Sequence, residues 1–66
     1  MENIIDNNPV EILTLMKSGS ISKAYIHYSS SWSVGEVSEH AFNLGFSINA
    51  EDKGYGVTEI TINTKF

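Results

Sequence analysis

The side chains of this sequence that could do chemistry are two histidines and a group of serines. His27 stands alone in a run that alternates like a strand, and His40 follows Glu36 by one helical turn, the ordinary spacing of a surface pair. A metal site needs three or four ligands in fixed geometry, and neither histidine has further ligands at such a spacing. We therefore expect two solvated histidines, with no metal and no other cofactor.

The four serines at positions 29, 30, 31 and 33 could supply a nucleophile, but nucleophilic catalysis also needs a base and a group that orients it. The sequence contains no G-x-S-x-G elbow. The run KGYG at 53–56 could suggest a phosphate loop, yet it lacks the Walker spacing and follows two acids, which favours a hairpin turn. We also expect so short a chain to lack a ligand pocket of several hundred Å³. The sequence therefore predicts neither an enzyme nor a small-molecule substrate.

Charge is a second constraint on function. Eight acidic residues against four lysines, with no arginine, give a net charge of −4. Proteins approach phosphate backbones with clustered lysine and arginine, so nucleic acid is not an expected partner. The absence of cysteine excludes disulfides and thiolate zinc sites, and no apolar run is long enough for a membrane span or a signal peptide. We expect a cytoplasmic protein with no membrane partner.

Two helices are predicted from their start and stop signals, after a short polar lead over residues 1–7. The first has Asn8 as its N-cap and ends at Gly19. The second begins with a capping box formed by Ser33 and Glu36, and it ends at Gly45. The apolar residues expected on the buried helix faces are Val10, Ile12, Leu13, Leu15, Met16, Val34, Val37, Ala41 and Leu44.

Alternation of polar and apolar residues predicts three strands. They are Lys23–Ser29, Phe46–Ala50 and Val57–Phe66, with a hairpin turn at Glu51–Gly56. The residues expected on the core face of the sheet are Ala24, Ile26, Tyr28, Ile60, Ile62 and Phe66. The residues expected on the opposite, polar face are Tyr25, His27, Glu59, Thr61, Asn63 and Lys65.

These elements predict an α+β fold, a two-layer α/β sandwich of one domain over residues 1–66. The order is α-β-α-β-β, and both helices are expected on one face of a three-stranded mixed sheet, which leaves the other face open. A right-handed crossover through the second helix makes the first two strands parallel. Because the third strand is longer than the second, its excess is expected to pair with the first. This predicts the strand order 2-3-1, with 1-2-3 as the alternative.

The run Val37–Ser47, VSEHAFNLGFS, resembles the first helix and turn of an AraC-type helix-turn-helix. The shared positions are Val37, Ser38, Glu39, Ala41, Leu44, Gly45, Phe46 and Ser47. The resemblance implies a basic recognition helix after the turn, but the residues that follow, INAEDKGYGVT, hold two glycines, two acids and a single lysine. A small DNA-binding transcriptional regulator that uses residues 34–47 is the alternative function that this resemblance implies.

The leading hypothesis is a small acidic, non-enzymatic protein-binding module that acts as an inhibitor, adaptor or regulator. The expected partner is another protein or a second copy of the chain, because small cores are often completed by association. The open sheet face is the expected surface, since exposed aromatic side chains are enriched among interface hot spots. The residues proposed for it are Tyr25, His27, Tyr55, Thr61, Asn63 and Lys65. Small acidic domains of this kind are common among the products of phages and mobile elements, so we expect an origin of that sort.

Overall fold

The computed structural model describes residues 3–6 and 8–66, so residues 1, 2 and 7 of the predicted polar lead lie outside the described part of the chain. The elements are α1 (Pro9–Ser18), β1 (Ala24–His27), α2 (Val34–Leu44), β2 (Phe46–Gly54) and β3 (Val57–Lys65). The helices contact each other and the sheet. The predicted element order and the α+β sandwich are confirmed.

Both helices begin and end where local capping predicts. The Asn8 side chain accepts a hydrogen bond from the first turn of α1 at 3.0 Å, and Ser33 and Glu36 form a reciprocal capping box on α2. Gly19 and Gly45 follow the helices with φ values of 85° and 101°, which glycine adopts without steric strain. Within the described residues, neither helix is long and apolar enough to cross a membrane.

The strands lie in the order β1-β3-β2, so the predicted order with the third strand in the centre is confirmed. Ile60 of β3 pairs with Ala24 on one side and with Ala50 on the other, and both pairings are antiparallel. β1 and β2 therefore point the same way, as the crossover through α2 predicts. They are not neighbours, however, and the predicted mixed sheet is corrected to an antiparallel one.

A segment that the sequence patterns did not identify as a strand covers the outer edge of β1. Ile4 forms an isolated parallel bridge with Tyr25. The backbone N–H of Ile5 donates to the Tyr25 carbonyl at 2.8 Å, and the Tyr25 N–H donates to the Asn3 carbonyl at 3.0 Å. Ile5 is fully buried, and burial of its side chain favours keeping the segment on this edge. No strand covers the outer edge of β2 within residues 3–6 and 8–66.

The core lies between the two helices and one face of the sheet. Its buried residues are Ile5, Leu13, Met16, Ala24, Ile26, Val37, Ala41, Phe46 and Ile60. Phe46 is the largest of the fully buried side chains and follows directly on Gly45, where the chain reverses after α2. Val10, Leu15 and Val34, predicted on buried helix faces, are exposed, because the apolar stripe of each helix is wider than the surface it packs against.

The last residues of β3 do not keep their predicted faces. The pairing with β2 shifts at Asn63, which has no partner residue in β2, and a shift of one residue exchanges the two faces of a strand. Lys65 therefore pairs with the buried Phe46, and its ammonium donates to the carbonyl of Lys17 in α1 at 2.9 Å. The predictions that Lys65 lies on the open face and that Phe66 lies in the core are wrong; Phe66 is 69% exposed.

Candidate functional site

A cleft of about 770 Å³ lies between the loop that joins β1 to α2 and the hairpin of β2 and β3. We call it the hairpin cleft. Ile26, Ala50 and Thr58 line it from the helix-covered face of the sheet, and the first turn of α2 lines one side. β1 pairs with Val57–Ile60, the part of β3 next to the hairpin turn, so the cleft lies at the three-stranded end of the sheet. The cleft is wide and open, so it is a concave surface and not a ligand pocket of the kind that so short a chain is expected to lack.

Serine hydroxyls shape the loop on one side of the hairpin cleft. The N–H of Ser30 donates to the His27 carbonyl at 2.9 Å, which turns the chain and ends β1. The Ser30 hydroxyl donates to the Ile5 carbonyl at 2.9 Å and accepts from the N–H of Trp32 at 3.1 Å. The Ser29 hydroxyl lies 3.0 Å from Nδ1 of His27. These contacts give the serines a structural role in the loop.

The hairpin turn on the other side of the cleft has two residues, Tyr55 and Gly56. Their φ values are 55° and 72°, and positive φ at both central residues is the feature of a type I′ turn. The Asp52 carboxylate accepts from the N–H of Gly54 at 2.8 Å just before the turn. The N–H of Tyr28 donates to the Gly56 carbonyl at 2.7 Å, which joins the turn to the end of β1.

Two tyrosines line the cleft while remaining exposed to water. Tyr55 is 99% exposed and Tyr28 is 79% exposed. The sequence placed Tyr28 on the core face by continuing the alternation of β1, but β1 ends at His27 and this prediction is wrong. Trp32 also lines the cleft, packs in part against the core and contacts His40 edge-on at a ring separation of 5.5 Å.

All four lysines of the chain contact acceptors outside the hairpin cleft. The ammonium groups of Lys17 and Lys65 donate to carbonyls in the last turns of α2 and α1. Lys23 and Lys53 each lie 3.8 Å from the carboxylate of Glu59, whose side chain is only 12% exposed on the open sheet face. The cleft itself is lined by the carboxylates of Glu36 and Asp52 and by no lysine.

Glu36 belongs both to the hairpin cleft and to the start of α2. Its carboxylate accepts hydrogen bonds from the Ser33 N–H at 3.1 Å and from the Ser33 hydroxyl at 3.0 Å. These bonds, the backbone one first, hold the pKa of Glu36 below its ordinary value, and the charge of His40 acts in the same direction.

Acid is expected to weaken the start of α2 through Glu36. Because its pKa is lower in the folded state, the capping interaction stabilises the fold fully above the ordinary value of 4.5 and is lost as the pH falls through the folded-state pKa. The free energy of unfolding of the wild type and of Glu36→Gln should therefore differ more at about pH 7 than at about pH 3. Urea unfolding at both pH values measures this. Glu39→Gln controls for the loss of one charge, and a difference independent of pH would contradict the prediction.

The six residues proposed for the open sheet face do not form one surface. Tyr25 pairs with Glu59, and Thr61 with Asn49, on the open face. Asn63 lies at the bulge, where its amide donates to the Ser47 hydroxyl at 3.4 Å. His27 pairs with Val57 on the same open face as Tyr25 and also borders the hairpin cleft. Tyr55 lines the cleft at the turn, and Lys65 contacts α1.

Tyr28, Trp32 and Asp52 line one cleft, which the sequence patterns did not predict. The available signal was the pair of acids ahead of the KGYG turn together with the aromatic residues that flank the serine run. Only the fold brings these two segments to opposite sides of the same concave surface.

A second exposed aromatic feature lies away from the cleft. Phe42 of α2 is 64% exposed and contacts Phe66 edge-on at a ring separation of 5.1 Å. The N–H of Phe66 donates to the Gly45 carbonyl at 2.8 Å, which places the two rings beside the end of α2.

The segment that resembles a helix-turn-helix contains one helix and not two. α2 ends at Leu44, and β2 begins at Phe46, where a recognition helix would have to follow the turn. In the part of the chain that is described, no group of three or more histidine, aspartate or glutamate side chains is placed to hold a metal ion. No protein-family model, curated protein or solved structure matches the chain.

Proposed function

We propose that the protein is a small acidic, non-enzymatic protein-binding module, an inhibitor, adaptor or regulator that docks through the hairpin cleft. The observation that carries this proposal is an open cleft of about 770 Å³ bordered by the exposed side chains of Tyr28 and Tyr55. Concave surfaces lined by aromatic side chains are common docking sites, and tyrosine and tryptophan are enriched among residues that dominate binding energy. The proposal keeps His27 and Tyr55 of the expected surface and moves the centre of binding from the open face to the cleft.

The polar groups of the cleft support binding over catalysis. The carboxylate of Glu36 caps α2, and that of Asp52 accepts a hydrogen bond from the turn. The Nδ1 atom of His27 contacts the Ser29 hydroxyl within the same loop. General acid–base catalysis needs a titratable group within reach of a substrate proton and a pKa near the working pH. Here the carboxylates are engaged in structural hydrogen bonds, and the one with a perturbed pKa is shifted downwards.

Self-association is a second candidate, and the edge-on pair of Phe42 and Phe66 favours it. Two exposed aromatic rings in contact form an apolar patch that a second copy could cover. The DNA-binding alternative has no comparable support, because α2 carries no lysine or arginine and each of the four lysines contacts an acceptor of the chain itself. The cytoplasmic location is part of the same proposal.

Site-specific photocrosslinking tests the binding surface directly. A photoreactive phenylalanine analogue is placed at Tyr55, and in a matched chain at Thr61 on the open sheet face. In cells that produce the protein, we expect a discrete adduct with another protein from position 55 and none from position 61. An adduct from position 61 alone would show that the partner binds the open face and not the cleft. An adduct of twice the chain's mass would indicate self-association. The absence of any adduct at either position would contradict the proposed function.

A further inference from the structure

We propose that the hairpin cleft takes a basic segment of its partner protein, one that presents lysine or arginine side chains. This inference rests on the proposed function, and it adds the chemistry of the partner. The first observation is the charge of the cleft, which is lined by the acidic residues Glu36 and Asp52 and by no lysine.

The lysines of the chain have contacts that hold them away from the cleft. Two contact the Glu59 carboxylate on the open face, and two donate to carbonyls at the ends of the helices. The net charge of −4 is therefore not offset by a cation at the cleft. Complementary potentials steer association and suppress wrong partners, so a basic partner is favoured and an acidic one is opposed.

The aromatic residues of the cleft fit the same ligand. Trp32, Tyr28 and Tyr55 all line it, and the faces of such rings attract lysine and arginine side chains. The aliphatic stems of these side chains also cover apolar surface, such as the exposed Ala50 on the sheet side. Carboxylates and aromatic faces together recognise a cationic side chain better than either does alone. The size of the cleft favours a peptide segment with several such side chains over a small ion.

At both carboxylates, an amide substitution removes the negative charge and keeps the hydrogen-bond acceptor. In Glu36→Gln, glutamine can still accept from Ser33, because a capping box accommodates Gln as well as Glu. In Asp52→Asn, the amide oxygen can still accept from the Gly54 N–H. The double variant E36Q/D52N therefore keeps the hydrogen bonds of the loop and the turn while it removes two negative charges. Glu39→Gln combined with Glu11→Gln removes two charges from helix residues that do not line the cleft and is the matched control.

The test is fluorescence anisotropy with three labelled peptides of the same length, bearing arginine, glutamine or glutamate at alternate positions. We expect the arginine peptide to bind best and its affinity to fall as salt rises from about 0.05 M to about 0.3 M. The double variant E36Q/D52N should bind it about tenfold more weakly, and the control double variant should stay within about twofold of the wild type. Equal binding of the arginine and glutamate peptides would overturn the inference, and so would an equal loss in the control.

Variants of Tyr55 test the aromatic contribution to binding in the same experiment. Tyr55→Phe keeps an aromatic face and should bind the arginine peptide as the wild type does, whereas Tyr55→Leu should lose about three- to fivefold. Equal binding by the two variants would remove the aromatic part of the inference. If position 55 crosslinks a cellular protein while the arginine peptide fails to bind, the basic partner is wrong and the binding module stands. If neither result is obtained, both proposals fail.

Discussion

Replacing Phe46 with alanine is expected to remove a large share of the free energy of unfolding of the protein. Phe46 is the largest fully buried side chain, and truncation of a buried phenylalanine costs about 3–5 kcal/mol. Native domains are stable by about 0.05–0.15 kcal/mol per residue, which for a chain of this length is about 3–10 kcal/mol. Phe46 also lies where α2 passes into β2, so its loss removes contacts between both layers.

Circular dichroism and the fluorescence of Trp32, the single tryptophan of the chain, measure the unfolding of this variant. Phe66→Ala is the matched control, because it removes the same atoms from a side chain that is 69% exposed. We expect this control to change the free energy of unfolding by less than about 1 kcal/mol. A Phe46→Ala variant that unfolds in the same urea range as the control would contradict the role of Phe46 in the core.

Replacing Gly56 with alanine is expected to destabilise the protein strongly, although Gly56 has no side chain to lose. At a φ of 72° an alanine costs about 1–2 kcal/mol. Its Cβ would also lie 2.6 Å from Cδ1 and 3.0 Å from Cβ of Tyr28. The exposed ring of Tyr28 can turn away, but its Cβ is held near the turn because the Tyr28 N–H donates to the Gly56 carbonyl at 2.7 Å. Overpacking adds about 1–3 kcal/mol, so we expect a total loss of about 2–5 kcal/mol.

The same hairpin provides the control for this prediction. Gly54 has a φ of 82°, but a Cβ at this position meets nothing within 4 Å, so Gly54→Ala should show the backbone cost alone. Urea unfolding of the two variants therefore separates the conformational cost from the clash. Adding Tyr28→Ala to Gly56→Ala should recover part of the lost stability. If Gly54→Ala and Gly56→Ala are equally destabilised, the close approach of Tyr28 has no energetic effect.

The parts of the fold that local chemistry controls could be predicted from the sequence. The bounds of α2 follow from the capping box of Ser33 and Glu36 at one end and from Gly45 at the other, and each signal lies within a few residues of its effect. The predicted strand order is confirmed, but the length argument behind it is wrong. β2 and β3 have nine residues each, and β1 pairs with Val57–Ile60 of β3, which also pair with β2.

The parts that depend on distant contacts could not be predicted. The unpaired Asn63 changes the faces of Lys65 and Phe66, and a bulge has no signal in the alternation of one strand. The bridge from Ile4 to Tyr25 joins residues far apart in the chain. The hairpin cleft arises because β2 continues to Gly54 rather than ending at Ala50, which brings the turn residues opposite the loop after β1.

The central position of β3 also has a consequence for how the sheet can form. Neither β1 nor β2 pairs with a named strand other than β3, so no two of the named strands can pair before residues 57–65 join them. The bridge from Ile4 to Tyr25 is independent of β3, and the two capped helices have local support, but helices of this length are marginal alone. We therefore expect both edges of the sheet to assemble around β3 together.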